Sequence, residues 1–166
     1  MFKEKTKIGD SMKMSGISKQ NEGLHIFGTV RLIGSNYNKD GVLEQVFDRE
    51  YPNLITHAGF DAICAQIASG SAAPAQFRWM AVGTGAVGDI DAVKLTAETA
   101  RVAATYGHTA GQLTFTITGV FTSPEAVTEY GCFNVVTADT ATMLNTAGFT
   151  AVTIDSLTIV MTGTLS

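Results

Sequence analysis

Hydrophobic and polar residues alternate along much of this chain at the period of two that a strand with one buried face requires. From Leu24 to Ile33, Leu24, Ile26, Val30 and Leu32 fall on one side and His25, Thr29 and Arg31 on the other. Ser35-Asn36-Tyr37-Asn38-Lys39-Asp40-Gly41 is a dense turn signal, after which Leu43, Phe47 and Tyr51 resume the alternation against Glu44, Asp48 and Glu50. The two runs predict a β-hairpin ended by Pro52-Asn53. The period then changes once. Thr56 stands where an N-cap would, Phe60, Ile63, Cys64 and Ile67 recur at the spacing of one helical face, and Gly70 is placed to close the helix. Residues 69–75 read as a loop.

Phe77-Arg78-Trp79-Met80-Ala81-Val82 is an apolar run stopped by the glycines of Gly83-Thr84-Gly85-Ala86-Val87-Gly88, which predicts a buried strand running into a loop. Between Asp89 and Arg101 helical and extended patterns compete, and loop followed by strand is the reading adopted. Gln112 to Phe121 alternates Leu113, Phe115 and Ile117 against Thr114, Thr116 and Thr118. Val127 to Val136, a short stretch from Met143 to Thr150, and Val152 to Leu165 complete the strands, the last with Leu157, Ile159 and Met161 on its inner side. Short strands separated by turns predict a mainly β protein: an antiparallel β-sandwich or jelly-roll-like domain over residues 24–166, with one short α-helix. Residues 1–23 are polar, with five lysines and no period, and form an extended N-terminal arm outside it. That arm reads either as plain disorder or as a segment that orders across a neighbour, with Met12, Met14 and Ile17 available for shallow pockets.

Charge sharpens this picture. Only 16% of the residues are charged, against roughly 25% in ordinary soluble domains. Residues 1–51 hold eight of the eleven Lys and Arg and seven of the fifteen acids, a balance of +1; residues 52–166 hold three and eight, a balance of −5. A β domain so short of charge is expected to hide surface against partners, although a neutral monomer coated with Thr and Ser would share the composition. A net charge of −4 gives no basic footprint for nucleic acid. No apolar run approaches the roughly 20 residues that span a bilayer, and Met1-Phe2-Lys3-Glu4-Lys5 is not followed by the apolar core of a secretory signal. Cys64 and Cys132 match no metal or redox spacing and read as two buried thiols of a reducing cytoplasm.

No catalytic, cofactor or metal site is expected. Gly83-Thr84-Gly85-Ala86-Val87-Gly88 fits the dinucleotide fingerprint letter for letter, but Asp89-Ile90-Asp91 follows where a helix should receive the pyrophosphate, so a strand-ending turn explains it better. Asp89 and Asp91 lack the further acids of a calcium loop and read as a solvated turn. Glu125 and Glu129 are expected to be an exposed loop acid and a strand-edge acid rather than a glycosidase pair. His25, His57 and His108 share no ligand spacing, no serine elbow is present, and neither cysteine sits in a nucleophile signature. Trp79, in its apolar neighbourhood, is expected in the core rather than on a sugar-binding platform.

The order of the pieces carries a resemblance. Asn53-Leu54-Ile55-Thr56-His57-Ala58-Gly59 ahead of the helix, Met80-Ala81-Val82-Gly83-Thr84-Gly85, Leu95-Thr96-Ala97-Glu98-Thr99-Ala100-Arg101, Glu129-Tyr130-Gly131-Cys132-Phe133-Asn134 and Met143-Leu144 resemble, over residues 24–165, small structural proteins of tailed bacteriophages. The resemblance implies a virion protein assembled in the host bacterial cytoplasm. Its expected role is a capsid decoration (cement) subunit touching the major capsid protein and copies of itself, without nucleic acid or membrane. A tail, baseplate or fibre component is the alternative within that resemblance, and a carbohydrate- or ligand-binding β-sandwich module is the alternative outside it. The polar start and the acidic loop at 86–94 depart from the pattern.

Overall fold

In the computed structural model the described residues are 25–68, 75–122 and 124–166, so the arm at 1–23 and the helix-closing Gly70 lie outside them. The first hairpin forms from β1 (Ile26–Tyr37) and β2 (Leu43–Pro52), joined by a turn tighter than the sequence signal. Asn38 accounts for the difference. Its Oδ1 accepts from the amides of Asp40 (2.9 Å) and Val42 (3.0 Å), and Gly41 takes a φ of +74°, so the turn closes without Ser35, Asn36 and Tyr37, which stay in the strand past a bulge at Gly34.

The remaining strands are β3 (Leu54–Ile55), β4 (Trp79–Gly83), β5 (Glu98–Ala103), β6 (Thr105–His108), β7 (Thr114–Thr122), β8 (Val127–Phe133), β9 (Met143–Val152) and β10 (Ser156–Leu165). They make two antiparallel sheets, which bears out the mainly β sandwich: sheet A in the order β2-β1-β10-β7-β6 and sheet B in the order β3-β9-β8-β4-β5. Both sandwich edges are turned by a chain that changes sheet. β2 passes through Asn53 into β3, and β5 passes through Ala104 into β6, so each edge strand of one sheet continues as the edge strand of the other. Strands that switch sheets leave less free edge for unwanted pairing.

The main core lies between the sheets. Val30 and Leu32 of β1, Leu157, Ile159 and Met161 of β10, and Ile117 and Phe121 of β7 meet Met80, Val82, Tyr130, Cys132 and Leu144 from sheet B. Sheet A is buried on this face alone, and its alternation is the one the sequence displays. Sheet B is covered on both. Its outer side carries Ala81, Phe133 and Met143, which pack with Leu95 under the segment that links β4 to β5, while half-buried Trp79 packs against their margin. Burial on two faces is why β4 reads as an apolar run rather than an alternation.

The helix α1 (His57–Ala68) forms where expected, and Ile63 of its expected face packs against the main core, but the rest of that face turns outward. Phe60 is 40% exposed, Ile67 is 71% exposed and Cys64 is exposed, whereas Gly59 and Ala62 are buried. Close approach to β9 is the reason: a Cβ on Gly59 would stand 2.2 Å from the Leu144 carbonyl oxygen, so only small residues fit the contact. Thr56 does act as the cap. Its Oγ1 accepts from the Gly59 amide (3.0 Å) and donates to the Met143 carbonyl (2.5 Å), tying the first turn to β9. Two smaller expectations also change: Leu113 is exposed and precedes β7, and β9 is a ten-residue strand rather than a short one.

Candidate functional site

The outward face of sheet A follows from the register of its strands. With Leu157, Ile159 and Met161 turned into the core, the alternate residues of β10 face out and align with those of β1, β7 and β6. Thr29, Thr162 and Thr116 form one cross-strand row that ends on Gly107. Arg31, Val160, Thr118 and Thr105 form the next; Phe27, Thr164 and Thr114 flank on one side, and Ile33, Thr158 and Val120 on the other. Eight threonines thus occupy these four rows, and Arg31 is the one charged side chain in them. That charge is neutralised at the border. Arg31 Nε and Nη2 donate to the two Asp48 oxygens on β2, at 2.7 and 2.5 Å. The same hydrogen bonding holds the Asp48 carboxyl below its ordinary range and raises the Arg31 guanidinium, with desolvation opposing it in both cases. Glu50 stands opposite Arg31 on β2 and, with the solvent-exposed Arg31–Asp48 pair, keeps this border in water, while the rows across β10, β7 and β6 make a face of hydroxyl and methyl groups that another surface can cover without stripping water from an ion.

Charge is also withdrawn elsewhere in residues 52–166. Glu98 and Arg101 form an ion pair (2.7 Å) whose side chains are only 20% and 6% exposed. The Arg101 guanidinium lies 3.9 Å from the Phe133 ring centroid and donates to the Val135 carbonyl (2.8 Å). Glu129 is wholly buried. It is therefore not the strand-edge acid expected from the sequence: it sits in β8, beneath the β4–β5 link, where its carboxylate accepts backbone amides from Gly85 (3.2 Å), Thr96 (3.0 Å) and Ala97 (2.7 Å). Three donors satisfy the charge without a cation.

This carboxylate explains the glycine cluster. A Cβ on Gly83 would meet the Ala97 carbonyl oxygen at 2.4 Å, and one on Gly85 would meet Glu129 Oε1 at 2.6 Å. The two glycines let the strand end close over a buried acid, and the chain then runs through 86–97 without a helix. A phosphate has no helix N-terminus to meet here. Asp89 and Asp91 make an exposed turn in which Asp89 Oδ1 accepts the Asp91 amide (3.0 Å) and Asp91 Oδ1 lies 2.7 Å from His57 Nδ1. That pair, with the His57 amide donating to the Ile90 carbonyl (2.8 Å), pins the link to the start of α1.

The other candidate residues are not brought together. Glu125 is exposed in a loop. His108 Nδ1 contacts the Thr114 carbonyl (2.9 Å), and His25 stacks on Phe27. Among the described residues no group of three or more His, Cys, Asp and Glu side chains could hold a metal ion, and no helix is long and apolar enough to cross a membrane. Cys64 is exposed, contrary to expectation, because the helix presents that side outward; Cys132 is buried, and burial pushes its thiol up to about 12. Tyr130, also buried, has its phenol held well above its ordinary value by desolvation, while its hydroxyl donates to Asn145 Oδ1 (3.2 Å).

One concave feature stands out. A groove of about 760 Å³ opens at the end of the sandwich, between α1 and the β6, β7 and β10 side of sheet A. Its walls are apolar, including Ile26, Ile63, Ile67, Phe77, Tyr106 and Phe115, with Gln76 and Arg78 also lining it. No family model, curated protein or solved structure matches the chain.

Proposed function

We propose that this chain is a structural protein of a bacteriophage particle, a capsid decoration (cement) subunit that acts by covering surface and being covered. The observation that carries the reading is the outward face of sheet A, with eight threonines in four rows and its one cation locked to Asp48 at the border. Copies of the chain meeting through this face, together with the shell beneath them, give the charge-poor part of the sequence somewhere to be. The motifs behind the resemblance to phage structural proteins add weight in a specific way. Gly59, Gly83, Gly85, Glu98, Arg101, Glu129 and Phe133 all serve packing contacts, as befits residues that maintain a scaffold.

The reading requires no catalysis and no cofactor. Its partners are the major capsid protein and further copies of the chain, and its place is the virion. The test is electron cryomicroscopy of particles made in cells that express the chain with the rest of its genome. Ordered density for this sandwich on the head surface is the expected result. Density confined to the tail, baseplate or fibres, or absence from the particle, would overturn the decoration role.

A further inference from the structure

The groove beside α1 is apolar, open and close to where the chain enters the fold. Ile26, the first residue of β1, is one of its walls, and the Ile67 and Tyr106 that border it are 71% and 63% exposed. Residues 1–24 lie outside the described structure, and they hold a cluster of large apolar side chains, Met12, Met14 and Ile17, separated by Lys13, Ser15 and Gly16. Met12 and Met14 fall on the same side of an extended chain, and unbranched methionine adapts to irregular apolar hollows. Reach is sufficient: Ile17 precedes Ile26 by nine residues, which span up to about 30 Å when extended. The segment is basic as a whole, with five lysines against three acids over residues 1–24, but one charge pairing is available on its way to the groove. Arg78, on the groove lining, has Gln76 as its hydrogen-bond partner and no acid among the described residues, and Glu22 lies on the stretch that must pass from Ile17 to Ile26.

We propose that the groove is the receptor for the N-terminal segment of this same chain, with Met12, Met14 and Ile17 seated on Ile63, Ile67, Phe77 and Tyr106 and Glu22 facing Arg78. The segment is thereby a clasp, closing either on its own domain or on the next copy, and the groove ceases to be an exposed apolar hollow. This inference does not depend on a place in a virion, and its test uses the isolated protein.

Cys64 supplies a native probe, because it is exposed and stands one residue from Ile63 and three from Ile67, whereas Cys132 is buried. In the full chain, Met14→Cys is expected to oxidise to a disulfide with Cys64, at least tenfold faster than Lys5→Cys does. Adding Ile67→Glu, a change at an exposed position, is expected to remove that advantage without altering the thermal melt. A bond within one chain and a bond between two chains, told apart on a non-reducing gel, both support the clasp. Equal rates for Met14→Cys and Lys5→Cys, or a rate unmoved by Ile67→Glu, would overturn it. So would native mass spectrometry finding a co-purified lipid or other amphiphile whose retention Ile67→Glu abolishes. Failure of this test leaves the virion reading standing, and absence from particles leaves the clasp standing.

Discussion

Glu129 holds the segment between β4 and β5 against sheet B through three backbone amides, and among the described residues no cation pairs with it. Replacing it by Gln keeps the shape but aims an amide group at donors. Hydrogen bonds to charged groups contribute about 1.5–3 kcal/mol, so Glu129→Gln is expected to cost about 2–3 kcal/mol in urea unfolding and to speed amide exchange at Gly85, Thr96 and Ala97. An unchanged urea midpoint would contradict the assignment. The buried thiol and phenol make a second residue-level prediction. Cys132 is raised to about 12 from its ordinary 9.0, and Tyr130 is raised above its ordinary 10.0. The unfolded chain therefore releases these protons at lower pH than the folded one. Their contribution is complete below pH 9 and is lost as pH climbs toward 12, so stability is expected to fall across that alkaline window. In the native protein a thiol reagent is expected to titrate Cys64 quickly and Cys132 only on unfolding. Two equally fast thiols would contradict the burial. Glu129 was legible in part: an acid inside Val127-Thr128-Glu129-Tyr130-Gly131-Cys132-Phe133 must be buried with partners if that run is a two-faced buried strand, and Gly83 and Gly85 mark where the partners approach. What hides it is that a carboxylate with no cation nearby in sequence ordinarily stands at an exposed edge.

At the level of elements, the strands that alternate were readable because one face meets water, and β1, β7 and β10 lie close to where their patterns put them. The helix was readable in place but not in orientation. Of its apolar spacing Ile63 packs against the core, while Phe60, Cys64 and Ile67 border solvent and the groove, and contact with β9 depends on the absence of a side chain at Gly59. Periodicity detects bulky residues, and a packing contact made by backbone has none to detect. Gly59→Ala, favourable for an isolated helix by about 1 kcal/mol, is accordingly expected to destabilise this protein, because Cβ would sit 2.2 Å from the Leu144 oxygen. Thr56→Ala removes both the cap and the bond to Met143, and a loss of about 1–3 kcal/mol is expected. Thermal melts of the two variants check these signs, and a more stable Gly59→Ala protein would show that the helix does not rest on β9 as described.

At the scale of the molecule, composition announced a shortage of charge but could not say which face lacked it. Register supplied that: the same ladder that turns Leu157, Ile159 and Met161 inward sets Thr158, Thr162 and Thr164 outward, with Thr162 between Thr29 and Thr116, Thr164 beside Thr114 and Thr158 between Ile33 and Val120. Sequence also could not show that Glu98, Arg101 and Glu129 are withdrawn from the surface, which leaves residues 52–166 still poorer in solvated charge than their count suggests. The claim on which the rest turns is that other copies cover sheet A. Sedimentation velocity of the full-length chain at micromolar concentrations tests it most directly, beside a Thr118→Lys, Thr162→Lys variant whose changes lie in the middle rows. Species at multiples of 17.5 kDa for the parent, reduced to 17.5 kDa by the two lysines with an unaltered melt, are the expected result. A parent that sediments only as a 17.5 kDa monomer, or an oligomer indifferent to both lysines, would contradict it.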